Sequence, residues 1–222
     1  MTRCLVIGAS RGIGLELVRQ ARAAGDEVVA TARSSEGLAA LQALGAKALT
    51  LDVASAPGCS GLAWQIDGEA FDQVWLVAGV MGPRQAAPNT PTEAEFDAVM
   101  HTNVLAAMRL LPQVTEALAP GARLAVLSSV MGSIGQRSNG NAWLYRASKA
   151  ALNSVLRDMA FALEGRAIAV SLHPGWVQTD MGGAAAPLTV AQSVQHLRAT
   201  VARLTPADHG CFFDHDGQAL PW

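Results

Sequence analysis

The sequence predicts an α/β fold, a doubly wound parallel sheet of about seven strands with helices on both faces, and three observations carry that expectation. Short β-branched runs alternate with longer helical patterns along the whole chain. Runs such as Leu124-Ala125-Val126-Leu127 are apolar without alternation, as strands buried on both faces must be. The first such run leads into a glycine-rich segment and then a helical pattern. In order, residues 3–7, 27–32, 47–51, 73–77, 122–128, 167–172 and 210–213 read as strands, and helical patterns fill the gaps. Right-handed βαβ crossovers then give one parallel sheet, with loops gathered at the carboxyl ends of the strands where an open α/β sheet binds ligand. No internal repeat, low-complexity tract or charge run interrupts the pattern. At 222 residues, half of them hydrophobic, the chain is expected to form one domain over 1–222.

Composition excludes several function classes. A net charge of -2 argues against a nucleic-acid partner. No apolar run approaches the roughly 20 residues that span a bilayer, so no membrane partner is expected. The apolar stretch at 4–7 is too short for a signal peptide. Cys4, Cys59 and Cys211 are odd in number and widely spaced, which suits reduced thiols in a cytoplasmic protein better than a disulfide framework. The five histidines share no ligand spacing, and no metal site is expected.

Arg3-Cys4-Leu5-Val6-Ile7 runs directly into Gly8-Ala9-Ser10-Arg11-Gly12-Ile13-Gly14, a strand, a glycine turn and a helix start. Gly8 suits a tight turn, Gly12 lets the main chain approach a pyrophosphate, and Gly14 allows a helix to pack closely on the sheet. Unpaired amides at the positive helix end then face phosphates. Further along, Tyr145 and Lys149 stand four residues apart in a helical pattern and project from one face. A cation beside a phenol favours phenolate and makes the phenol a usable proton donor and acceptor.

Taken together, Gly8 to Gly14, Asn103, Ser129 and Tyr145-x-x-x-Lys149 resemble the short-chain dehydrogenase/reductase family. The resemblance spans nearly the whole chain, through Asp52-Val53, Ala78-Gly79, His-Thr-Asn103-Val, Ser128-Ser129 and His173-Pro174-Gly175-Trp176-Val177-Gln178-Thr179-Asp180. The closing stretch, with Thr205-Pro206-Ala207-Asp208 and Asp216-Gly217-Gln218-Ala219-Leu220-Pro221-Trp222, is similar to the C-factor-like and sniffer-like carbonyl reductase branch. That resemblance implies a single Rossmann-type domain, with residues 180–205 as a short segment over the substrate side. It implies Tyr145 as proton donor, Ser129 as a second hydrogen bond to the carbonyl oxygen, and Lys149 as the group that lowers the tyrosine pKa. Asn103 would bend its helix and fix a proton-relaying water. Ser133 is an alternative to Ser129, because Gly135 to Gly140 lengthens the interval before Tyr145. The implied cofactor cradle is Gly8, Ser10, Arg11, Gly12, Ile13 and Gly14 in the turn, then Arg33, Asp52, Val53, Ala78 and Gly79. Tyr145, Lys149, Pro174, Gly175, Val177 and Thr179 complete it.

The second strand ends in Thr31-Ala32-Arg33-Ser34, with no carboxylate for ribose hydroxyls and a guanidinium suited to a 2'-phosphate. NADP(H) is therefore expected in preference to NAD(H). Two positions depart from the family pattern: Ile7 stands where Thr usually precedes the first glycine, and Val77 replaces an Asn before Ala78-Gly79. Met181-Gly182-Gly183-Ala184-Ala185-Ala186-Pro187 offers no charged clamp, so an apolar aldehyde, ketone, diketone or quinone is the expected substrate. Trp143 and Trp176 either line that cleft or serve packing. The leading expectation is an NADPH-dependent carbonyl reductase; the alternative is a dinucleotide-binding sensor or signalling protein. A homodimer or homotetramer is implied by the resemblance, with a monomer as the other option.

Overall fold

The computed structural model describes residues 1–222. Seven parallel strands, β1 (Arg3–Ile7), β2 (Glu27–Ala32), β3 (Lys47–Thr50), β4 (Phe71–Leu76), β5 (Leu118–Leu127), β6 (Ala167–His173) and β7 (Phe212–Asp214), lie in the order β3-β2-β1-β4-β5-β6-β7. The reversal of winding between β1 and β4 opens a crevice at their carboxyl ends. Helices α1 (Gly12–Ala23), α2 (Ser35–Ala43), α3 (Ala56–Cys59) and α4 (Leu62–Gln65) fill the first half. Helices α5 (Glu93–Met100), α6 (Ala106–Val114), α7 (Trp143–Ala162) and α8 (Val190–Arg203) follow. No helix is long and apolar enough to cross a membrane.

Period-two alternation explains the two core layers. Leu5 and Ile7 of β1 and Leu124 and Val126 of β5 pack against α6 and α7 through Leu110, Leu111, Leu152 and Leu156. Their neighbours Cys4, Val6, Ala125 and Leu127 face the other way, onto Leu17 and Val18 of α1 and Leu197 and Val201 of α8. A strand with apolar groups on both faces must read as a continuous apolar run, which is why these strands stand out in the sequence.

Helix starts follow local chemistry. Ser34 caps α2 by accepting from the Gly37 amide at 3.2 Å, and Thr92 with Glu95, and Thr189 with Gln192, form capping boxes on α5 and α8. Strand β5 starts earlier than the expected 122, because Leu118 already pairs with Phe71 before the register shifts ahead of Arg123. Pro120 and Gly121, the latter at φ 74°, lie in that irregular stretch and conceal its strand character in sequence. Of the 180–205 segment, Val190–Arg203 is α8, whose Val194, Leu197 and Val201 belong to the core, and only Asp180, Met181 and Val190 border the cleft.

Candidate active site

A cleft of about 470 Å³ lies at the β1/β4 crevice, and its floor is the glycine turn between β1 and α1. Gly8 has φ 90°, and a Cβ there would lie 2.7 Å from the Ala78 amide nitrogen; a Cβ on Gly14 would come within 2.3 Å of the Gly8 carbonyl. Both positions therefore admit glycine only. Gly12 differs: at φ 53° its Cβ would meet nothing nearer than the Thr179 methyl at 3.6 Å, so a side chain there would project into the cleft. No side chain caps α1 and its first turn carries no acidic residue. The turn thus presents free amides and a positive helix end to the cleft, a set of donors fit for a pyrophosphate.

Of the residues the sequence suggests for the site, Ser10, Arg11, Ile13, Arg33, Asp52, Val53, Ala78, Gly79, Pro174 and Thr179 border the same cleft, together with the three turn glycines, Tyr145 and Lys149. Four predicted residues do not. Val177 is buried behind the surface, while Gly175, at φ 81°, shapes the turn that brings Pro174 inward and has no space for a Cβ beside His215. Asn103 and Ser129 are buried and outside the cleft lining, with Ser129 next to Tyr145, which does border it.

At one end of the cleft the first turns of α7 bury Tyr145 and Lys149 almost completely, at 6% and 3% exposure. Lys149 Nζ donates to the Leu127 carbonyl at the end of β5 (2.9 Å), which leaves its other protons to face the cleft. Nζ lies 5.8 Å from the Tyr145 ring centroid. Burial pushes the Lys149 ammonium down to about 8. Burial pushes the Tyr145 phenol up to about 12, opposed by a hydrogen bond from Ser129. The expected lowering of the phenol by Lys149 does not show here: burial dominates, and the hydrogen bond with Ser129 is what opposes it. At neutral pH Tyr145 keeps its proton, the state a donor requires.

The coupling to Tyr145 also separates the two serine candidates. Ser129, two residues past the end of β5, accepts from the Met131 amide at 3.1 Å and reaches the phenol. Ser133 instead donates to the Pro221 carbonyl at 2.6 Å and holds the last residues of the chain.

Asn103 lies within a π-helical turn, His101–Leu105, that joins α5 to α6. Its Oδ1 accepts from the Val80 amide (2.8 Å), and its Nδ2 donates to the Val80 carbonyl (2.8 Å) and Ser148 Oγ (2.9 Å). One side chain therefore ties the segment after β4 to α7. A Cβ on Gly79 would lie 3.3 Å from both Asn103 Oδ1 and Lys149 Nζ, so the missing side chain keeps the space between them open.

The two arginines behave differently. Arg33 at the end of β2 is exposed and engages no carboxylate. Arg11 is paired with Asp180 at 2.7 Å across the cleft mouth. Sequence reading offers Met81-Gly82-Pro83-Arg84 as a cleft border or a simple turn, and none of the four borders the cleft; it gives no contact to Arg84, which donates to the Met181 carbonyl (2.6 Å), or to Thr31, whose Oγ1 accepts from the Gly8 amide (3.1 Å). Neither contact has a local signature, since each joins segments distant in sequence. Trp143 and Trp176 point their indole N–H groups at Asn89 and Gly182 carbonyls, and neither lines the cleft.

The family model for short chain dehydrogenases matches residues 2–187. The chain belongs to that family. This short-chain dehydrogenase is 43% identical over 117 residues to C-signal of Myxococcus xanthus, which covers 50% of this chain and 70% of that one. Among solved structures it is similar to the carbonyl reductase Sniffer of D. melanogaster, at 30% identity and TM-score 0.88 over 100% of both chains. It is likewise similar to a carbonyl reductase from Pseudomonas aeruginosa PAO1 in complex with NADP, at 34% identity and TM-score 0.85 over 100% of both. Around both positions where the short-chain dehydrogenase departs from the expected pattern, other groups make the contacts. Thr31 brings a hydroxyl to the Gly8 amide from β2 where Ile7 offers none. The Ile7 carbonyl accepts from both the Val77 and Ala78 amides (2.9 and 3.2 Å), so main chain ties β1 to the end of β4.

Proposed function

We propose that the protein is an NADPH-dependent reductase of small apolar carbonyl compounds. The observation that carries this reading is the convergence of buried Tyr145, Lys149 and Ser129 at one end of a cleft floored by the glycine turn. The glycine turn and α1 would hold the pyrophosphate, Arg33 the 2'-phosphate, and Lys149 the ribose hydroxyls next to the reacting centre. When bound, the reduced dinucleotide supplies the hydride. Tyr145 delivers its proton to the carbonyl oxygen as negative charge develops there, and Ser129 hydrogen-bonds the same oxygen. The Lys149 ammonium, charged below about pH 8, stabilises the phenolate that the transfer leaves behind. Val80 and Met181 make this end of the cleft apolar, which supports aldehydes, ketones, diketones or quinones as substrates.

The test is the fall in NADPH absorbance with a panel of such carbonyls, with NADH and Tyr145→Phe run beside it. Turnover that prefers NADPH and drops by about two orders of magnitude or more in Tyr145→Phe is expected. Near-normal turnover by that variant would remove Tyr145 as the donor. The likeness to C-signal supports a second reading, an NADP(H)-binding signalling protein with little catalysis. It predicts NADPH binding without turnover, and a biological effect that survives Tyr145→Phe.

A further inference from the structure

Ala142, the residue immediately before α7, has φ 50° and ψ 46°, the only non-glycine residue of the chain in the left-handed region. Such a backbone is strained at a residue with a Cβ and persists only where its surroundings over-determine it. Here the surroundings centre on Arg146. It is 7% exposed and makes no ion pair, an unusual fate for a guanidinium. Its Nε donates to the Asn141 carbonyl (2.9 Å) and its Nη2 to Asn139 Oδ1 (2.8 Å), while Asn139 Oδ1 also accepts from the Asn141 amide (3.2 Å). One side chain thereby folds the 139–141 turn back over the start of the helix that bears it.

The turn is also stitched to the segment after β4. The Ala87 amide donates to the Gly140 carbonyl (3.4 Å), the Trp143 amide to the Gln85 carbonyl (3.4 Å), and the Trp143 indole to the Asn89 carbonyl (3.1 Å). Trp143 precedes Tyr145 by two residues, so the angle at which the chain enters α7 sets where the phenol stands relative to the 85–89 segment to which Trp143 is bonded. Arg146 itself does not border the cleft, and its guanidinium hydrogen bonds go to Asn139 and Asn141, outside the lining.

We infer that Arg146 is a positioning residue: by holding Asn139 and Asn141 it fixes Ala142 in the left-handed conformation and so sets Trp143 and Tyr145 against the 85–89 segment for the carbonyl substrate. This rests on the reading of Tyr145 as proton donor. Losing the guanidinium lets Ala142 relax toward an ordinary backbone and loosens the first turn of α7, while the cofactor cradle at the other end of the cleft keeps its shape.

Arg146→Met and Asn139→Ala are the test, the second because an exposed side chain is removed without opening a cavity. Both are expected to lower kcat/KM for the carbonyl about tenfold or more, as a small displacement of a reacting group does, with NADPH affinity kept within about twofold and faster amide exchange confined to residues 139–146. Adding Ala142→Gly to Arg146→Met is expected to restore much of the lost kcat/KM, because glycine adopts this backbone freely. Unchanged kcat/KM in Asn139→Ala and Arg146→Met, or losses that strike NADPH binding equally and resist Ala142→Gly, would overturn the proposal. Failure of the underlying reading looks different: Tyr145→Phe would then retain turnover, whatever the Arg146 variants do.

Discussion

Arg11 and Asp180 stand 169 positions apart in sequence and meet at 2.7 Å across the mouth of the cleft, a guanidinium from the glycine turn against a carboxylate after β6. Both side chains are largely exposed, so the pair is worth little to stability, about 0.2–1 kcal/mol at most. Its consequence is competition. Arg11 cannot direct the same N–H at a bound phosphate and at Asp180, and the carboxylate places negative charge beside the anion site. Asp180→Asn is therefore expected to tighten NADPH binding by about two- to fivefold at low salt, with the gain fading as salt screens the mouth. Titration at two ionic strengths checks this, and weaker binding by Asp180→Asn would mean that the pair organises the site.

Arg33 is the opposite case, an exposed guanidinium at the end of β2 with no acidic partner. Charge-assisted hydrogen bonds contribute about 1.5–3 kcal/mol each. Arg33→Ala is expected to weaken NADPH by roughly tenfold or more and leave NADH nearly untouched, and Arg33→Asp to turn the preference toward NADH by supplying a carboxylate for the ribose hydroxyls. The ratio of kcat/KM for the two cofactors measures both. An unchanged ratio in Arg33→Ala would place the 2'-phosphate elsewhere.

Thr31 is almost fully buried, and its hydroxyl is the side-chain acceptor for the Gly8 amide at the tightest point of the turn. Valine keeps the shape and removes the acceptor. Thr31→Val is expected to lower unfolding free energy by about 1–3 kcal/mol, the cost of an unmet buried donor, and, on the proposed placement of the pyrophosphate over this turn, to weaken NADPH. Thr31→Ser should be close to wild type. Denaturant unfolding of the three proteins, with NADPH titration beside it, decides the matter; a Thr31→Val protein of full stability would show that the turn needs no hydroxyl.

What the sequence revealed, and what it concealed, follows from the range of each interaction. The bounds of β1 and β2 could be read because their buried stretches, Cys4–Ile7 and Val28–Ala32, are nearly all apolar and end at Gly8 and Arg33. The glycine turn and the Tyr145/Lys149 pair could be read because their geometry is local, one turn or one helical step. Thr31 against Gly8, Arg11 against Asp180 and Arg84 against Met181 could not, since each is a contact between segments that only the sheet order brings together. The rise in the Tyr145 pKa was hidden for a related reason: it depends on how much of the chain covers the phenol, which residue spacing does not state.

Lys149 carries the clearest conflict between function and stability. Its ammonium is fully buried with one protein acceptor, the Leu127 carbonyl, and burial lowers its pKa from 10.5 to about 8. Between those values the unfolded chain holds the proton and the folded chain does not, so stability should rise with pH across that window; below about pH 8 the whole cost of burying the charge is present. A shift of that size corresponds to roughly 3 kcal/mol, against which the lost hydrogen bond to Leu127 weighs about 1–2 kcal/mol. Lys149→Met is accordingly expected to abolish turnover and to unfold at pH 7 about 1–2 kcal/mol harder than wild type, an advantage that shrinks as pH approaches 10. On the proposed mechanism, wild-type carbonyl reduction should fall as pH rises through about 8, because the Lys149 charge assigned to stabilising the Tyr145 phenolate is then lost. Unfolding curves at several pH values and a pH–rate profile test the two halves separately. A Lys149→Met protein less stable than wild type at pH 7 would mean that the ammonium is held by more than the Leu127 carbonyl, and the expected alkaline fall in rate would then move to higher pH.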